Sequence, residues 1–192
     1  MDYSYSYGMA LFYMPNRSED PETFAQNFFE ESKNKYRKKP RVLIVEQHGK
    51  NWSIPKGRAK KDETWVETAV RELYEETNVK LSDYTLFGDY ETAPAFQYMS
   101  KAKKHYGDAL PLMCTSKRKS LGGKEVMKVI HVFGGIIHTP LDDLDALSND
   151  KAITDIDLAT YGQSKKKLHK KDFEAVWKLY RTGLWQYLSN ER

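Results

Sequence analysis

Residues 57–79, GRAKKDETWVETAVRELYEETNV, decide how the rest of the chain is read. A loop that opens at Gly57 runs into an amphipathic helix. Thr64 and Glu67 make a T-x-x-E capping box, so the spacing predicts a helix start near Thr64. Val66, Ala69, Val70, Leu73 and Thr77 recur at helical period and form the stripe that faces a core. Asn78 follows where a left-handed residue closes a helix, and Asn is the usual substitute for Gly there. At 3.6 residues per turn, Glu72, Glu75 and Glu76 share a different face, so they are not core residues. Like charges at that spacing weaken a helix unless something positive lies among them. Three carboxylates facing one point suit a hard divalent cation, Mg²⁺ or Mn²⁺. A solvated acidic face is the plainer alternative.

Upstream of this stretch, Ser4 to Met14 is rich in Tyr, Phe, Met and Leu and reads as a strand closed by the turn signal Pro15-Asn16. Asp20 and Pro21 look like the N-cap and first position of a helix that buries Phe24 and Phe28. A basic run from Lys33 to Arg41 precedes a short strand, Val42 to Val45. His48 to Asn51 is a turn, and Trp52 to Ile54 an extended piece ending at Pro55. Downstream, strands are expected at Thr85 to Glu91 and at Met127 to His138. Between them lies a basic insertion at about 92–125, carrying Lys101, Lys103, Lys104, Lys117, Arg118, Lys119 and Lys124. Such long connections are more often functional or disordered than plain links. Asp142 to Asp150 reads as an acidic loop. Phe173, Val176, Trp177 and Tyr180 then repeat at helical period in a C-terminal helix that Gly183 should end.

Composition bounds the answer. A chain of 192 residues, 40% hydrophobic and 30% charged, reads as one soluble domain, 1–192. The single cysteine, Cys114, excludes an intrachain disulfide and a cysteine-cluster zinc site. It fits a reducing compartment, the cytoplasm or the nucleus. No stretch approaches the roughly 20 apolar residues needed to span a bilayer, so no membrane partner is expected. The N-terminus has neither a basic region nor a small-residue cleavage site, which speaks against a signal peptide. The net charge of +4 is mild, but the basic residues are clustered, which suits a polyanionic partner as well as a solvated surface.

The opening stretch resembles the signature of the Nudix (MutT-like) hydrolases, G-x5-E-x7-R-E-U-x-E-E-x-G-U, where U is a bulky aliphatic residue. Gly57, Glu63, Arg71, Glu72, Leu73, Glu75, Glu76 and Val79 stand at the required spacings, and Asn78 replaces the last glycine. The resemblance implies an α/β (α+β) Nudix fold, a mixed β-sheet between helices. It also implies Mg²⁺- or Mn²⁺-dependent hydrolysis of a nucleoside diphosphate linked to another group. Carried over residue by residue, Glu75, Glu76 and the Gly57 carbonyl become metal ligands, and Glu72 a ligand or the general base. Arg71 would hold a carboxylate in a two-point contact, with Glu63 its partner in a structural role. Many relatives add an acid from a remote loop. Asp150 is the leading choice, where a late strand would lead into the final helix, with Asp155 and Asp145 as alternatives.

Trp52 to Gly57 has the form W-x-x-P-K-G, which looks like two branches of the family. One hydrolyses dinucleoside polyphosphates such as diadenosine tetraphosphate, and the other removes the messenger RNA cap. Diphosphoinositol polyphosphate hydrolases rank third, since they tend to carry glycine where Lys56 stands. Lys56 is a compact charge suited to phosphate, and Arg58 could serve likewise. Trp52 could stack on a base or belong to the core. The basic insertion and the run Lys165 to Lys171 could track RNA or grip a short polyphosphate. The dinucleoside polyphosphate reading needs no second domain and leads. A non-catalytic nucleotide-binding module is the rival from another class, but such modules usually lose box carboxylates, and all are present here.

Overall fold

A computed structural model describes the backbone of residues 2–13, 40–86, 113–121, 124–139, 143 and 150–190. Side chains are described for 3–13, 40–86, 126–139, 143 and 150–180. Strand β1 (Asp2–Tyr13) and strand β7 (Lys124–Ile137) form the spine, paired in parallel from Asp2↔Val126 to Tyr13↔Ile137. Parallel strands need cover on both faces. Met9, Ala10, Leu11 and Phe12 accordingly have no exposed surface at all.

Around this spine lie β2 (Arg41–Gln47), β3 (Asn51–Ser53), β4 (Lys56–Gly57), β5 (Tyr84–Leu86), β6 (Met113–Leu121) and β8 (Ile153–Thr160). The sheet runs β3-β2-β1-β7-β5, with β4 on β1, β6 on β7 and β8 on β2. Among the described residues, helix α1 (Trp65–Thr77) lies between β4 and β5, and α2 (Tyr161–Lys167) and α3 (Lys170–Asn190) follow β8. Side chains alternate across a strand, so β1 feeds two cores. Ala10 and Phe12 join Val42, Ile44 and Ile130 beneath Val176, Trp177 and Tyr180 of α3. Met9 and Leu11 join Leu43, Phe133 and Ile137 beneath Val66, Ala69 and Leu73 of α1. The expected mixed sheet between helices is the observed architecture.

The glycine in β1 sets the position of the site. Tyr7 and Gly8 pair with Gly57 and Lys56 of β4, and Met9 N–H donates to the Pro55 carbonyl at 3.1 Å. A Cβ on Gly8 would overlap Lys56 Cβ and the Pro55 oxygen. Gly8 therefore lets the loop before α1 lie directly on the central strand.

Several expectations are corrected. Residues 113–121 of the basic stretch form β6, paired antiparallel along β7, rather than a loop. Between Asp150 and the final helix stand both β8 and α2. The final helix does not end at Gly183 but continues to Asn190. A helix-interior glycine costs only about 1 kcal/mol. The sequence keeps its apolar period past it through Leu184, Tyr187 and Leu188. The helix expected near Asp20 to Phe28, the basic run before Pro40, residues 87–91 of the expected strand and most of the acidic loop, Asp145 included, lie outside the described residues.

Candidate active site

Helix α1 begins and ends where its sequence says. Thr64 Oγ1 accepts from Glu67 N–H at 3.3 Å, and Glu67 Oε2 accepts from Thr64 N–H at 2.7 Å. Asn78 closes the helix at φ 59° and ψ 7°, its N–H donating to the Tyr74 carbonyl at 2.8 Å. The acid-bearing face is thus fixed at both ends.

Arg71 organises that face. Its Nε and Nη2 donate to the two Glu63 oxygens at 2.5 and 3.0 Å, the fork contact expected of this pair. Its Nη1 reaches Glu72 Oε1 and Glu75 Oε2, each at 2.7 Å, and Nη2 also donates to the Arg58 carbonyl at 3.0 Å. One guanidinium therefore bonds three carboxylates and the box loop, a task its five donors suit and a lysine could not do. The Arg71 contact holds Glu63 down at about 2. Burial acts to raise Glu75, but bonds from Lys60 and Arg71 outweigh it and leave that carboxyl below the ordinary value.

Glu72 and Glu76 sit deeper. The Glu72 carboxylate fills the space a Cβ on Gly57 would need. The expectation that the box acids lie outside the buried interior is corrected for Glu76, which is buried, with Oε2 accepting from Lys56 N–H and Oε1 from Gln47 Nε2, both at 3.1 Å. Burial pushes Glu76 up to about 7, and the Glu72 charge pushes the same way against the pull of Lys56. Glu72, although it accepts from Arg71, and the buried Glu76 thus lie beside the Gly57 backbone, and the Glu72 charge raises the cost of ionising Glu76. These hard oxygens form a donor set that fits a divalent cation. The expected three-way convergence is corrected in detail. Among the described residues no three acidic, imidazole or thiol groups form a ready-made cage, since Glu75 is turned to Arg71 and Lys60.

Next to Glu76 opens a cleft of about 820 Å³. Lys50, Lys56, Lys128, Lys167 and Lys171 line it together with Trp52. Gln47 and Lys56, the two partners of Glu76, belong to the same wall. Lys56 Nζ donates to Ser53 Oγ at 2.6 Å, which fixes its ammonium near the acids. Trp52 is half-buried against the α3-side core, and Lys167 Nζ lies 3.7 Å from its ring centre. Arg58 contributes its backbone carbonyl to Arg71. Asp150 uses its carboxylate to accept from Ala152 N–H at 2.8 Å, in the turn that starts β8. Asp155 stands opposite Glu46 in the β2–β8 ladder.

Sequence reasoning missed Gln47, Ser53, Lys128 and Asp157. Gln47 meets Glu76 across 29 positions, and no local pattern announces such a contact. Lys128 could have been noticed as the one charged residue in the apolar run from Val126 to Val132.

The family model for the NUDIX domain matches residues 34–126. Among solved structures, the chain is similar to a C. elegans Ap4A hydrolase in a binary complex, 14% identical, with 93% of this chain and 96% of that one covered at a TM-score of 0.56. It is similar to the NUDIX domain of Shewanella oneidensis NrtR complexed with ADP ribose, 10% identical, 95% and 89% covered, TM-score 0.55. A MutT protein from Methanosarcina mazei gives 13% identity, 94% and 95% coverage and a TM-score of 0.50. At these identities the likeness speaks for the fold. A comparison with curated protein sequences finds no match. The chain carries a Nudix domain in the Nudix fold. The domain is the one shared by Nudix hydrolases, enzymes acting on phosphorus-containing acid anhydrides and in general dependent on divalent metal ions, and it supports a hydrolase of that class here.

Proposed function

We propose that this hydrolase cleaves a P–O–P linkage in a nucleoside polyphosphate, with dinucleoside polyphosphates of the diadenosine tetraphosphate type as the leading substrate class. One observation carries the reading. The residues that hold Glu76, Gln47 and Lys56, also wall a cleft lined by five lysines. A phosphate chain drawn into that cleft is delivered to the acids.

Glu72, Glu76 and the Gly57 carbonyl would hold Mg²⁺ or Mn²⁺, and Glu75 would join them by leaving Arg71 and Lys60. A divalent ion held there neutralises phosphate charge and lowers the pKa of a bound water. The protein's own contribution is positional. Arg71 aims Glu72 while it is anchored to Glu63, and keeps Glu75 within reach until that carboxylate is needed. Lys56 draws the polyanion toward Glu76 and offsets the repulsion between substrate and carboxylates. Glu72 acts as a ligand or as the base that takes a proton from the attacking water.

With Mg²⁺ or Mn²⁺, the purified protein should release a nucleotide from diadenosine polyphosphates. Glu75→Gln should lower turnover by at least about a hundredfold, the scale of losing an essential acid-base or ligand group. Parental turnover in that variant would remove the assignment. A screen that sets dinucleoside polyphosphates beside capped RNA, nucleotide sugars and diphosphoinositols tests the substrate class. Release of capped nucleotide from long RNA alone would replace this reading with decapping.

A further inference from the structure

The sequence leaves Trp52 two roles, stacking on a base or belonging to the core, and its surroundings favour the second. Trp52 is packed against the α3-side core. The Lys167 ammonium sits over its indole at 3.7 Å from the ring centre. Lys167 is also held at 2.7 Å from Asp157 Oδ2, a residue of β8. An isolated bridge, Trp52↔Leu168, ties the next residue to β3 as well. A base stacking on the indole would have to evict a cation from both a π-face and a carboxylate. A cation over an aromatic face is stabilised there by the ring's quadrupole. The arrangement therefore presents an ammonium held in place by Asp157, not a bare ring.

That ammonium is one of five in the cleft. Lys56, whose N–H bonds Glu76, shares the cleft wall with Lys167 and Lys171 at the joint of α2 and α3. The volume of about 820 Å³ suits a ligand larger than a single phosphate. Five lysines against one lining acid, Asp172, leave the cleft net positive and suited to a polyanion, since each lysine acts as a compact point charge.

We propose that the cleft is a subsite for the oligophosphate chain of the substrate, in which Trp52 is a positioning residue that holds Lys167 against phosphates distal to the scissile linkage. This rests on the hydrolase reading above and adds that selection runs by phosphate number rather than by base. The shared ligand chemistry is a row of consecutive phosphates, borne either by a dinucleoside polyphosphate or by an inorganic polyphosphate.

The test is kinetic. KM is measured for dinucleoside tri-, tetra- and pentaphosphates with the parent, Lys167→Met, Trp52→Phe, Trp52→Leu and the Lys167→Met/Trp52→Leu double variant. In the parent, KM should fall as phosphates are added. Lys167→Met should raise KM for the pentaphosphate about tenfold, the scale of one charge-assisted hydrogen bond, and for the triphosphate less than about twofold. The effect should fall on KM rather than kcat. Trp52→Leu should reproduce the Lys167→Met pattern, Trp52→Phe should largely restore it, and the double variant should be no worse than either single one. Equal KM changes for all three substrates, or additive losses in the double variant, would overturn the proposal.

A second arm separates this idea from the substrate assignment. Binding of inorganic tripolyphosphate and of longer polyphosphate is measured by calorimetry on parent and Lys167→Met. Length-dependent binding that Lys167→Met flattens supports the subsite even if no dinucleoside polyphosphate is cleaved. Length-independent binding overturns it even if cleavage is observed. Lys167→Met is a partly exposed substitution, so it stands as a test should Trp52→Leu fail to fold.

Discussion

Gly57 places no side chain where the Glu72 carboxylate rests, and this is a functional use of glycine rather than a conformational one. A Cβ there would overlap Glu72 Cδ and both its oxygens. The clashing group is the far end of a flexible side chain, so the fold yields and the site does not. Gly57→Ala should therefore lower kcat by about 10- to 100-fold, the scale at which a misplaced group loses catalysis, with little change in Tm. A variant with parental kcat would show that the seat of Glu72 is not needed. Arg71 is the second residue of this kind. Arg71→Lys keeps the charge but cannot bond Glu63 at two points while reaching Glu72 and Glu75. We expect it to lose most activity, at least about tenfold, in side-by-side initial-rate measurements with Arg71→Ala. Recovery by lysine would mean that charge alone, not the fork, holds the acids.

Helix α1 shows how much of an element can be read locally. Its capping box, apolar stripe and left-handed end involve residues within four positions of one another, and all were legible. Asn78 tests the last of these. It adopts φ 59°, where a Cβ is strained and Gly is not. Asn78→Gly should stay within about 0.5 kcal/mol of the parent, while Asn78→Ala should lose about 1 kcal/mol in urea unfolding. Equal stabilities would put the helix stop elsewhere. The elements that escaped notice are those whose partners are far away. Strand β8 alternates Asp155 and Asp157 with Ile156 and Leu158 at the edge of the sheet, beside β2, where half-burial leaves a weak signal. The run Lys165 to Lys171 read as one basic surface. In the fold it splits, with Lys165 and Lys166 exposed in the last turn of α2, where they complement the helix dipole. Lys167 and Lys171 turn into the cleft. Spacing alone does not single out Lys167, because it is Trp52 and Asp157 from other elements that hold it there.

At the scale of the molecule, β1, β7 and α1 are joined by a ladder of rings around a buried imidazole. His131 has no exposed surface, and Tyr5, Tyr7 and Trp65 stack about it at centroid distances of 6.0, 5.2 and 5.1 Å. Burial lowers its pKa from 6.5 to about 4. The folded state therefore resists a proton that the unfolded chain takes up readily. As pH falls from about 6.5 to about 4, the unfolded state binds more protons and stability is lost, by at most about 3 kcal/mol. Two other groups act in nearby windows. Glu63, held at about 2, withdraws its contribution as pH falls below about 4.5. Glu76, raised to about 7, works the other way in metal-free protein, because its folded form takes up a proton between about 7 and 4.5 and gains stability relative to neutral pH. The parent curve alone would mix these terms, so the informative quantity is a difference. His131→Phe keeps a stacked ring and removes the titrating nitrogens. Urea unfolding of parent and variant, metal-free, at pH 7 and pH 5 should show the parent losing about 1 to 2 kcal/mol more than the variant between the two. Parallel losses in the two proteins would mean that the imidazole is protonated in the folded state and that the ladder does not exclude the proton.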